Sequence, residues 1–172
     1  MRTDRRQGYG LVVLAMLLLA FAAPIAYAAE ASPAGSVKSV TGQALVLRKG
    51  AAAASLKAGD RIFEKDVLTT GKASSIGIVM RDNSVLSLGP SSRLVVESFL
   101  FAPEKGALAQ VLKLSRGSMD AVSGEIVKLN PEAARVETPI YTIGIRGTHF
   151  LLNVEPGNET PAEAAEGVEV VK

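Results

Sequence analysis

Turn-forming residues punctuate this chain so regularly that no long helix fits between them. Downstream of residue 35 they fall at Gly42, Gly50, Gly59-Asp60, Glu64-Lys65-Asp66, Gly71-Lys72, Asp82-Asn83 and Gly89-Pro90. They continue at Pro103–Gly106, Arg116-Gly117, Ser123-Gly124 and Asn130-Pro131. The segments between them run to roughly four to eight residues and are rich in Val, Ile and Leu, the length and composition of strands. Ile76, Ile78 and Met80 alternate with Gly77 and Val79, and Leu86 and Leu88 with Val85 and Ser87. Leu94 and Val96, then Leu112 and Leu114, keep the period of two that gives a strand one buried face. The chain is therefore expected to be all-β, a single compact domain of many short strands. Strands closed by glycines suggest a solenoid or β-helix-like stack, with a β-sandwich or barrel as the alternative. Asn158–Glu166, acidic and alanine-rich, is the one segment of this region that suits a short helix, and a loop serves as well.

Upstream, the pattern is different. Arg2, Arg5 and Arg6 precede the unbroken apolar run Leu11–Ala23, Pro24 breaks it, and Ala26-Tyr27-Ala28 follows with small residues at both ends. That order is the n-, h- and c-region of a secretory signal peptide, expected to span residues 1–28. Residues 29–35 then form a flexible lead-in and 36–172 the domain. An uncleaved leader would instead anchor the protein to the inner membrane, but a spanning helix needs about 20 apolar residues and Pro24 sits within this one. Arg5-Arg6 lacks the rest of a twin-arginine signal, which favours the ordinary secretory route. A cysteine-free exported domain fits a bacterial periplasm or cell surface.

Charge must be counted without the leader. With Arg2, Arg5, Arg6 and Asp4 set aside, the 19 basic and 17 acidic side chains become 16 and 16. A neutral domain leaves no basic footprint for nucleic acid or an anionic membrane surface. The absence of cysteine removes disulfides, thiol catalysis and thiolate metal sites. His149 is the single histidine, so a serine triad or a zinc site would have to be built on it alone. Its strand-like surroundings suit a structural role better. No Ser-x-x-Lys occurs after the leader, and Gly71-Lys72 lacks the upstream glycine of a phosphate loop. Asp60, Asp66 and Asp82 could pair for acid–base work or hold calcium, yet aspartate in a turn more simply bonds the backbone two residues on. Asn158-Glu159-Thr160 matches a glycosylation acceptor by chance in an exported bacterial protein. The expectation is a non-enzyme without metal or cofactor.

Four segments carry a resemblance. Gly59–Thr70 has an aspartate at 60 and another at 66 before Val67-Leu68-Thr69-Thr70. Arg81-Asp82-Asn83-Ser84-Val85-Leu86-Ser87-Leu88 and Ser92-Arg93-Leu94 follow, and the most specific, Thr138-Pro139-Ile140-Tyr141-Thr142-Ile143-Gly144-Ile145-Arg146-Gly147-Thr148-His149-Phe150, comes last. In this order, from about Val37 to Val171, the chain resembles the FecR domain family. The family's turn is usually Asp-Gly-Ser, and Asn83 replaces its glycine. Asparagine is the non-glycine residue best suited to positive φ, so the tight hairpin should survive.

The resemblance implies an all-β extracytoplasmic domain that signals or binds partners, with no known catalysis. In the founding regulators such a domain hears an iron-siderophore receptor and relays the signal through a membrane helix to a sigma factor. Here only ten residues precede Leu11, and the chain stops at Lys172, so the expectation is a stand-alone secreted FecR domain. Its partner would be an envelope protein, either a receptor or the outer-facing domain of a membrane signalling protein. No nucleic acid is expected, and no membrane once the leader is cleaved. A structural or polysaccharide-binding module is the alternative, disfavoured by few aromatics, and a hydrolase using the three aspartates comes third.

The motif residues expected to matter, structurally or toward a partner, are Asp60, Asp66, Asp82, Gly144, Arg146, Gly147 and Thr148. Gly144, Gly147 and Thr148 bracket Arg146 in what reads as a strand. The arginine should either pair with one of Asp60, Asp66 and Asp82 or show its guanidinium to a partner. Thr138-Pro139 should begin or edge a strand, and Phe99 with Phe101 should lie on a sheet face.

Overall fold

The computed structural model describes residues 32–155 and 168–171. The leader and the Asn158–Glu166 segment lie outside the described residues. Thirteen strands form one sheet: β1 (Gly35–Thr41), β2 (Ala44–Leu47), β3 (Ala54–Ser55), β4 (Arg61–Ile62), β5 (Val67–Thr70), β6 (Ser75–Met80), β7 (Val85–Leu88) and β8 (Arg93–Ala102) come first. After them come β9 (Ala107–Val122), β10 (Ala134–Glu137), β11 (Thr142–Gly144), β12 (His149–Val154) and β13 (Val168–Val171). The fold is all-β, as the alternation requires. Its strands do not stack as the coils of a solenoid, however. Apart from β9 with β10, every pairing is antiparallel, and the sheet curls into a half-barrel. The glycines that suggested coils are turn residues with positive φ: Gly50 lies in the β2–β3 hairpin, while Gly42 and Gly59 join strands that do not pair with each other.

The path of the sheet is β3-β2-β5-β8-β9-β7-β6-β1-β4. Curling brings the inward residues into one cluster. Ile76, Ile78, Met80, Leu86, Leu88, Leu94, Val96, Leu112 and Leu114, the positions marked by alternation, are all at most 2% exposed. Phe99 is buried and Phe101 packs partly against the same cluster.

The strand β9 is longer than its sequence suggests. Arg116-Gly117 reads as a turn, yet β9 runs through it for 16 residues. Gly117 has φ +86°, a conformation nearly closed to other residues, and there the strand changes company. Before it β9 pairs with β8 and β10, and beyond it with β7 and β12.

The β6–β7 hairpin behaves as its residues dictate. Asn83 has φ +65°, its N–H donates to Met80 O (3.1 Å), and Met80 N donates to Ser84 O (2.8 Å). This is a three-residue loop closed by a left-handed residue, the place for glycine or asparagine. One helix escaped the sequence pattern: α1 (Glu125–Leu129) is five residues long and buries Ile126 and Val127. A single turn is too short to display a period of 3.6.

Candidate partner-binding surface

The three aspartates do not form a common site. Asp66 is 2% exposed, and its carboxylate accepts from Arg48 Nε at 3.0 Å and from Phe63 N at 2.9 Å. Arg48 also donates to Arg61 O at 2.7 Å and lies 5.0 Å over the Phe63 ring. That arginine carried no sequence signal, because its partner is 18 residues away. Asp82 is fully buried. It accepts from Ser84 N and Ser84 Oγ (3.2 and 2.7 Å), and its second oxygen faces Ile126 N (3.4 Å) in the first turn of α1. Gln110 Nε2 extends the chain by donating to Ser84 Oγ at 3.0 Å. Asp60 accepts from Lys57 N at 2.8 Å, reaching three residues back rather than two on, whereas Asp82 with Ser84 N follows the ordinary aspartate turn. Among the described residues no three acidic or histidine side chains gather as a metal site. Asp66 and Asp82, buried and bonded to backbone N–H groups, are shielded from a substrate.

Arg146 is placed differently from the sequence expectation. β11 ends at Gly144, so Arg146, Gly147 and Thr148 form the connection to β12 rather than the middle of a strand. Gly147 has φ +127°, and a side chain at Gly144 or Gly147 would meet nothing within 4 Å. These glycines therefore mark the end of a strand and not a close backbone approach. Arg146 pairs with Glu132 at the surface, not with any of the three aspartates. The two side chains are 79% and 76% exposed.

Around it the motif segment lies open. Thr138 N donates to Tyr141 O (2.8 Å) and Tyr141 N to Thr138 Oγ1 (3.0 Å), closing the β10–β11 turn that contains Pro139. Ile140, Tyr141, Thr142, Gly144, Arg146, Gly147, Thr148 and His149 are all exposed. Beside them is an open groove of about 320 Å³ between Pro131-Glu132 and Arg146, with Arg135, Thr142 and Gly144 on its sides. β11 pairs only with β10 among the described residues, so its outer edge has free backbone groups. His149 Nε2 is 2.6 Å from Asp120 Oδ1 on β9, again at the surface.

Residues 66–169 match the model of the family described as FecR protein, which covers more than half of the chain and takes in the open motif segment. The chain belongs to the FecR family. No curated protein matches it, nor does any solved structure. FecR proteins are regulators in cell-envelope signalling rather than a known enzyme family. The FecR match begins at Asp66, so Asp60 falls before it. None of the helices among the described residues is long and apolar enough to cross a membrane.

Proposed function

We propose that this FecR domain is a non-catalytic binding module, exported to the periplasm by a cleaved leader at residues 1–28. There it engages an envelope protein partner through the segment 138–149. One observation carries the reading. The stretch most specific to the family is largely solvent-exposed, so those residues are not explained by packing. Arg146, joined to Glu132 only by an exposed pair, keeps donors available for a partner's carboxylate or carbonyl groups. An exposed loop held on a rigid sheet is a usual position for recognition residues. Neutral net charge and the commitment of Asp66 and Asp82 to structural bonds support the same reading.

The test is site-specific photocross-linking in a Gram-negative periplasm. The photoreactive residue replaces Tyr141 in one strain and Val85, on β7, in another. Cross-linking to a receptor or to the outer-facing domain of a membrane signalling protein from 141 but not from 85 is expected. Recovery of polysaccharide or peptidoglycan material alone from 141 would replace the proposal with the structural alternative.

A further inference from the structure

The outer face of the sheet holds a second feature, apart from the motif segment. Register sets Leu45, Thr69, Arg93 and Arg116 in one row across β2, β5, β8 and β9. Their neighbours in sequence, among them Ala44, Val46, Leu68, Thr70 and Leu94, point into the core, so this row faces solvent. The next row on the same face runs Leu47, Val67 and Val95 and ends on the exposed Lys113 of β9. Leu47 is 43% exposed.

Arg93 and Arg116 are direct cross-strand partners, and like charges so placed repel. Arg48, Arg135 and Arg146 each hold a carboxylate, whereas neither Arg93 nor Arg116 has one among the described residues. The register shifts between Arg93 and Leu94, leaving Ser115 as an extra residue on β9. Such a bulge re-aims the side chain beside it and recurs at binding sites. Two guanidiniums brought together beside an apolar strip form a receptor for a planar oxyanion.

We propose that Arg93 and Arg116 clamp a carboxylate of an extended acidic protein segment, whose apolar side chains lie on Leu47, Val67 and Val95. This rests on the reading that the partner is a protein, while using residues separate from 138–149. The domain's balance of 16 basic and 16 acidic groups argues for one local charge match rather than adsorption to a polyanionic surface. Strand spacing suits a segment whose sheet-facing residues, at i and i+2, are acidic and apolar in turn, one side chain per row.

The experiment uses a fluorescein-labelled Glu-Val peptide of repeating Glu-Ser-Val-Ser, which brings Glu and Val to the same face, with the Lys-Val peptide Lys-Ser-Val-Ser as control, and reads anisotropy with the purified protein. Binding of the Glu-Val peptide alone is expected, weaker at high salt. The doubly substituted Arg93→Gln/Arg116→Gln protein should lose roughly tenfold or more in affinity, and Lys105→Gln, at the exposed turn between β8 and β9, should lose none. Arg116→Glu gives a second test: it replaces repulsion by an ion pair with Arg93, so it stays folded and also loses the peptide. Equal binding by these variants, or no binding by the original protein, would overturn the clamp. Stronger binding to anionic phospholipid vesicles than to the peptide would overturn it too. Cross-linking from position 141 that persists while the peptide fails would sink the clamp and leave partner binding by the motif segment standing.

Discussion

The Cβ that Gly117 lacks would lie 2.5 Å from the Cα of Ser92. Strand β9 can turn from one set of partners to the other only because nothing projects there. Ser92 is itself fully buried, and its hydroxyl accepts from Ser118 N at 3.0 Å while lying 2.9 Å from Gly89 O. The pair acts as a pin at the bend. Gly117→Ala combines an unfavourable positive φ with overlap against backbone, and should cost about 2–4 kcal/mol in chemical denaturation. A loss below about 1 kcal/mol, the size of a simple glycine-to-alanine effect, would show that the bend relaxes.

Asp82 should behave as a structural anchor. Asp82→Ala removes the acceptor for Ser84 and for the first turn of α1, and leaves buried donors unpaired. A loss of about 2–4 kcal/mol is expected, read as a fall in melting temperature. Gly124 belongs to the same joint, since a side chain there would meet Asp82 O at 2.3 Å.

At the neighbouring position the sign reverses. Asn83→Gly should leave stability unchanged or raise it by a few tenths of a kcal/mol, and Asn83→Val should lower it by about 1–2 kcal/mol, because only the latter resists φ +65°. Paired urea titrations separate the two.

Arg146→Ala should leave the melting temperature nearly unchanged, because a fully exposed ion pair contributes about 0–1 kcal/mol. Circular dichroism checks this, and loss of the cross-linked partner without loss of fold is the expected pairing of results. A strongly destabilised variant would return Arg146 to a structural role.

Glu97 titrates below the ordinary carboxylate range, first because Lys65 donates to it at 2.6 Å and then through the charges of Lys65 and, more weakly, Lys113. A lowered folded value means its stabilisation is present above the unfolded value and disappears as pH falls through the folded one. The stability gap between the original protein and Glu97→Gln should therefore be small but constant at neutral pH and close in acid. Both partners are exposed, so salt should shrink it.

Local chemistry was legible in the sequence wherever neighbours in the chain decide it. Alternation located the inward residues of β6 through β9, and the turn residues located the hairpins, down to positive φ at Asn83. What escaped depends on residues far apart. The solenoid expectation failed because glycine-closed strands look alike whether the next strand runs antiparallel or stacks as a coil. Arg116-Gly117 looked like a turn since a bend within a strand uses the same residue. Arg146 found Glu132 instead of an aspartate, and Asp66 found Arg48, because long-range charge pairing leaves no periodic trace. The motif was visible, while its exposure required the sheet to be built around it.

Strand β9 is bonded along one edge to β7 and β8, which precede or adjoin it, and along the other to β10 and β12, which come later in the chain. While the polypeptide emerges from N- to C-terminus, everything up to Val122 can assemble and still leave that second edge bare for most of 16 residues. Such a half-finished domain offers an unprotected template for another chain. Safe maturation therefore depends on the prompt arrival of residues 134–154, and the segment that displays the family motif is flanked by the two strands that cover the long edge of β9.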